Sequence, residues 1–245
     1  MKTYTGFHSP TGIAVDREGN LYVSNWSAGN VTKVDANGNH TIFARNMGSP
    51  AGLAFDNDDN LYVADYSQNV IYRIAKNKSR DDLLKNKTEI IFARGLHTPT
   101  GISFNKNGEL LVANRSSNEI VKVNASGKVS LVAKGMRTPV GVTQDSGGNL
   151  YVTNYGGGII KVFVDGTVRD FSNDFGRPGV GIDIGPQNEI FAADNGDGCV
   201  RLLLPNGRTR IVAAGISGCV ALLIHGNTLY VGSWGTGSVY EYRIK

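Results

Sequence analysis

The chain has 245 residues, a formal charge of +4 and 40% hydrophobic residues. That length accommodates two ordinary domains or one large closed one. The basic residues are scattered rather than grouped with aromatics, which argues against a nucleic-acid footprint, and no apolar run approaches the ~18 residues of a membrane helix. Two cysteines, Cys199 and Cys219, are too few for a disulfide framework and lack metal-ligand spacing.

In chain order, the stretch from Lys2 to Phe7 reads as a first strand. Four strand signals follow: Gly12 to Val15, Leu21 to Ser24, Val31 to Val34 and His40 to Ala44. Turn chemistry separates them at Arg17 to Asn20, Ala28 to Asn30 and Asn37-Gly38, the last a pair that favours left-handed dihedrals. The same unit restarts at Pro50, Pro99, Pro139 and Pro178, with a degenerate copy at Gly218. In the first five copies a glycine (Gly12, Gly52, Gly101, Gly141, Gly181) stands thirteen residues before an amide or acid. A strand-rich period of this length, punctuated by glycine, means a propeller or another closed array.

Between the second and third copies the segment Lys76 to Lys87 is polar and charged, and is expected as a solvated loop or short helix. The last copy supplies three strands, Val220 to Ile224, Leu229 to Ser233 and Val239 to Ile244. The N-terminal strand, residues 1–9, precedes Pro10 where other copies have a fourth strand. It is therefore expected to complete blade six and remove a free sheet edge. The prediction is an all-β, six-bladed propeller of four-stranded antiparallel blades, forming a single domain over residues 1–245.

The pattern Pro-x-Gly-Ile-x-Val-Asp-x-x-Gly-Asn-Leu-Tyr-Val-x-Asn at Pro10 to Asn25 resembles the NHL repeat, as does Pro50 to Asp65. The resemblance covers the whole chain. It implies a six-bladed propeller of the gluconolactonase-like and strictosidine-synthase-like group. That group holds metal-dependent lactonases, a zinc lyase acting on peptides, streptogramin lyases and interaction domains, so fold alone does not choose a function. The zinc lyase carries histidines at x of Pro-x-Gly, where this chain has Thr11, Ala51, Thr100, Val140, Val180 and Cys219. The early acid that the resemblance requires of a lactonase has only Glu18, in an exposed turn, to match it. The His and Glu cluster of streptogramin lyases is met only by His225. The expectation is therefore no metal and no cofactor.

Strand direction puts the loop before each Pro-x-Gly and the loop after each Asn/Asp on one face, around the channel. Just after the Asn/Asp stand Trp26, Tyr66, Arg115, Tyr155, Asn195 and Trp234, read as ligand-binding residues because aromatics give large contact area at low entropy cost. The bland alternative is that they cap the strands and pack between blades. Two residues before each proline lie His8, His97 and Arg137 among others. The histidines are candidate catalytic acid/base groups, and Arg137 with Arg115 a candidate clamp for a carboxylate or phosphate. Beneath lies a polar ring, Asn25, Asp65, Asn114, Asn154, Asp194 and Ser233, whose structural role is to bond loop backbone. Cys219 is read as channel-facing and the more plausible nucleophile of the two thiols.

The leading functional reading is small-molecule binding on the loop-rich face, with metal-independent acid/base chemistry of lyase, cyclase or hydrolase type if the site is catalytic. Alternatives are a protein- or peptide-interaction propeller and a metal-dependent lactonase-like hydrolase. A monomer without nucleic-acid or membrane partners is expected. Nothing from Met1 to Gly19 resembles a signal peptide, which reads as cytoplasmic unless an export signal has been removed.

Overall fold

The structure, a computed structural model, describes residues 2–76 and 90–244. The described residues form twenty-four strands arranged in six four-stranded antiparallel sheets. The first blade shows the plan: β2 (Pro10–Val15), β3 (Leu21–Asn25), β4 (Asn30–Val34) and β5 (His40–Ala44) run from the axis outward. Five further inner strands surround the same axis: β6 (Pro50–Phe55), β10 (Pro99–Phe104), β14 (Pro139–Gln144), β18 (Pro178–Ile184) and β22 (Cys219–His225). No described helix is long and apolar enough to cross a membrane.

Blade six closes the ring as the termini suggest. Its sheet is β1 (Lys2–Tyr4), β24 (Ser238–Arg243), β23 (Thr228–Ser233) and β22, in that order. Thr3 pairs with Tyr240, the Tyr4 hydroxyl donates to Glu241 Oε2 at 3.0 Å, and the Phe7 N–H donates to the Gly237 carbonyl at 3.0 Å. Phe7 is then buried with Ile13, Leu21 and Val239, so the N-terminal segment seals the seam between blades six and one.

Each blade is apolar on both faces because each is sandwiched by its neighbours. The tyrosine of Leu-Tyr-Val sits in such a seam: Tyr22 meets Phe43 and Phe55 edge-on at 4.9 and 5.0 Å, and Tyr62 meets Phe92 and Phe104 at 5.0 and 5.1 Å. Burial and the Asp16 carboxylate together push the Tyr22 hydroxyl well up from its ordinary value. Pro-x-Gly starts the inner strand. A Cβ on Gly52 would stand 2.6 Å from the Thr100 carbonyl oxygen, so glycine is required where inner strands of adjacent blades converge. The segment 77–89, which contains most of the charged insertion beginning at Lys76, lies outside the described residues.

Blade six corrects one detail of register. Its first hairpin is one residue shorter, so that Cys219 pairs with Ser233 and Ala221 with Gly232. Cys219 takes the place of the proline, and Val220 that of x. Cys219 is fully buried with Ala193, Val200 and Leu222, and burial pushes its thiol up to about 12. It does not face the channel, and a thiol held that far from ionisation is no nucleophile at neutral pH.

Candidate functional site

The loop-rich face is built by two interlocking sets of hydrogen bonds. In the first five blades the side-chain oxygen that ends the second strand accepts the N–H found two residues before the repeat proline, whereas in blade six the Ser233 hydroxyl donates to the Ser217 carbonyl. Asn25 takes His8 N–H at 2.9 Å, Asn114 takes His97 at 2.6 Å and Asn154 takes Arg137 at 2.8 Å. Asp65 accepts Gly48 and Ser49 N–H at 2.7 and 3.1 Å, and Asp194 accepts Gly176 and Arg177 at 3.0 and 2.9 Å. The residue after the amide or acid then donates its own N–H to the carbonyl just before the proline. Trp26 bonds Ser9, Tyr66 bonds Ser49, Arg115 bonds Thr98, Tyr155 bonds Thr138, Asn195 bonds Arg177 and Trp234 bonds Gly218, over 2.8–3.3 Å. These bonds fix where the six rim side chains leave the backbone.

The polar ring is therefore occupied with holding loops. Ser233 joins in from blade six, accepting the Thr236 N–H at 3.2 Å. Asp194 is the most heavily engaged, since Arg201 Nε also donates to it at 2.8 Å. Burial opposes ionisation of Asp194, but the Arg177 N–H and the Arg201 guanidinium outweigh it and hold the carboxyl below its ordinary value.

Above this ring the rim side chains enclose a cavity of about 150 Å³ over the axis. Its floor is the x position of successive inner strands, Thr11, Thr100, Val140, Val180 and Val220. Its walls are Trp26, Tyr155, Trp234, Arg115 and Asn195. Trp26 lies 6.2 Å from Trp234 and 4.7 Å from Tyr66, which backs the wall. Trp234 is held by a 3.1 Å bond from Nε1 to the Thr11 hydroxyl, yet it and Tyr155 each remain 42% exposed. The Arg115 guanidinium lies 5.6 Å from the Tyr66 ring and 5.1 Å from the Tyr155 ring, and donates to the Tyr66 hydroxyl at 3.3 Å.

Five of the six rim residues predicted from the repeat thus meet around one cavity, with Tyr66 directly behind. His8, His97 and Arg137 do not line it. The two histidines are exposed, and what they contribute to the face is a backbone N–H. Arg137 turns to Asp170, 2.6 Å away, so the anticipated pairing with Arg115 does not form. The second cation near the cavity is Arg177, 5.2 Å over the Tyr155 ring. It is one residue further along the loop than Arg137, because the fifth copy carries an extra residue between Pro178 and Gly181. That offset is visible in the sequence and marks Arg177 as the residue the spacing argument missed. Among the described residues the cavity lining contains no carboxylate, imidazole or thiol. Among the described residues, no three His, Cys, Asp or Glu side chains come together.

No protein-family model matches the chain, and no curated protein matches it. Solved structures do match. The whole chain aligns with 88% of virginiamycin B lyase from Staphylococcus aureus at 19% identity and a TM-score of 0.72. A gluconolactonase from Xanthomonas campestris aligns over 99% of this chain and 89% of its own, with 12% identity and a TM-score of 0.81. The chain is a six-bladed β-propeller. Nidogen, in its complex with laminin, shares that fold over 92% of this chain and 89% of its own, at 22% identity and a TM-score of 0.76. At these identities the likeness is one of architecture, and it is the architecture that the NHL-type repeat implied.

Proposed function

We propose that this propeller binds a small planar anion, such as an aromatic carboxylate, in the aromatic-walled cavity over its axis. The observation that carries the reading is the Arg115 guanidinium, set between two tyrosine rings in a lining that has no carboxylate to neutralise it. Guanidinium matches carboxylate geometry with two parallel donors. A cationic guest is disfavoured, since Arg115 and Arg177 already occupy the tyrosine faces that would attract it. The volume suits a single ring, because a cavity of about 150 Å³ is known to admit benzene. A structure of catalytically inactive virginiamycin B lyase from Staphylococcus aureus with quinupristin offers a precedent for a small ligand on this fold, at 15% identity and a TM-score of 0.73. That structure covers 96% of this chain and 80% of the lyase. With no acid/base side chain in the lining, the reading is one of binding, without catalysis by His8 or His97.

The exposure of Tyr155 and Trp234 also suits a peptide or partner protein gripping the rim. Calorimetry with benzoate separates the two. Benzoate is expected to bind the wild-type chain, to bind at least tenfold more weakly to Arg115→Ala, and to bind equally to Arg137→Ala, whose guanidinium is engaged with Asp170. Absence of benzoate binding, or equal loss in both variants, would sink the planar-anion reading and leave the rim to a larger partner.

A further inference from the structure

The channel mouth opposite the aromatic rim holds a second cavity, of about 390 Å³. It is formed where the inner strands end. Val15, Phe55, Phe104 and Ile184 give it apolar walls. Into this setting the strands bring one acid, Asp183 of β18, with Thr143 of β14 beside it and His225 of β22 in the same lining.

Asp183 accepts two backbone N–H groups, from Ile224 at 2.7 Å and Ile184 at 2.8 Å. A carboxylate has about four acceptor positions, so these bonds leave half its capacity free. Among the described residues no lysine or arginine pairs with it. Burial pushes its carboxyl up to about 6, against the opposing effect of the two N–H bonds. At neutral pH it is thus an anion in a mouth of mixed polarity, with no counter-charge paired to it among the described residues. The bond to Ile224 ties blades five and six through Oδ2 and the bond to Ile184 uses Oδ1, so a carboxamide, with one acceptor oxygen, could take only one of the two. The hydroxyl of Ser103 ties blades three and four in a neutral way, donating to the Val142 carbonyl at 2.8 Å. Gln144 is likewise engaged, donating to Gly148 O at 3.1 Å and accepting Lys106 N–H at 3.0 Å.

We propose that this lower mouth is a second ligand site, which takes the ammonium group of a small apolar amine against Asp183 and lays its hydrocarbon body on Phe55, Phe104 and Ile184. Between the two mouths the buried side chains of Ile13, Leu53, Ile102, Val142, Ile182 and Leu222 narrow the channel to a cavity of about 40 Å³. The upper cavity selects an anion through Arg115, and the lower one a cation through Asp183, so the face a ligand chooses is set by its charge.

The test uses the full chain with benzylammonium as probe, read by calorimetry and by amide chemical shifts. Saturable binding is expected, with shifts at the Ile184 and Ile224 amides. Affinity is expected to fall at least tenfold in Asp183→Asn and to stay unchanged in Arg115→Ala. Benzyl alcohol, which has the same shape without the charge, is expected to bind the wild-type chain at least tenfold more weakly than benzylammonium. That comparison needs no variant to fold. Failure of benzylammonium to saturate, equal binding of the alcohol, or unchanged affinity in Asp183→Asn would each overturn the proposal.

Discussion

Replacing Asp183 by asparagine is expected to stabilise the propeller near neutral pH, by an amount that shrinks as the solution is acidified. The carboxyl is raised from 3.8 to about 6 by burial. Each tenfold change in proton affinity is worth about 1.4 kcal/mol, which makes the full effect about 3 kcal/mol. Its sign follows from linkage. Between 3.8 and about 6 the unfolded chain has released this proton while the folded chain still holds it, so stability falls as pH rises through that window. Above about 6 the loss is complete, and below 3.8 it vanishes. Asparagine does not titrate, but its single side-chain oxygen can accept only one of the two N–H groups, which costs about 1 kcal/mol. The variant should therefore exceed the wild type by about 2 kcal/mol near pH 7.5, or about 4–8 °C in melting temperature for a chain of this size, and roughly match it near pH 4.5. Urea titrations followed by the fluorescence of Trp26 and Trp234 measure both gaps. His225, the other titratable side chain lining this mouth, is changed to glutamine in both proteins so that its own titration cancels. Equal stabilities near pH 7.5, or a gap that does not narrow on acidification, would refute the reasoning.

Removing residues 1–9 should lower the melting temperature cooperatively and promote self-association, because it uncovers the edge of β24 and withdraws buried Phe7 from the seam between blades six and one. Loss of Phe7 alone is worth about 3–5 kcal/mol, and an unchanged melting curve would contradict the closure. Both cysteines should resist alkylation in the folded chain near pH 8 and react only on addition of denaturant, since burial raises both thiols. Rapid labelling of Cys219 in the native state would restore it as a candidate nucleophile.

The rim was legible because it obeys the repeat. Trp26, Tyr66, Arg115, Tyr155, Asn195 and Trp234 occupy one position of the unit, and one backbone bond per blade holds that position toward the axis. His8, His97 and Arg137 also share a repeat position, yet a shared position was not enough. What that position contributes is an N–H to the Asx ring, while its side chains leave for solvent or, for Arg137, for Asp170. Asp183 was passed over because no motif marks it. Its equivalents, Ala14, Ala54, Ser103, Thr143 and Leu223, share neither charge nor size, and only closure of the ring shows that they gather at one mouth.

The sequence by itself determined the number of blades, the four-strand plan, the closure by the N-terminal strand and the face on which the rim lies. All of these follow from local spacing repeated six times, and spacing along a chain is what a sequence records directly. Tertiary structure alone decided which side chains look at each other across the axis. That placed Arg177 rather than Arg137 beside Tyr155, buried Cys219 through a one-residue change of register, and left Asp183 ionisable in the mouth opposite the rim. Such contacts join residues on different strands, and there a shift of one residue turns a side chain to the opposite face of its strand.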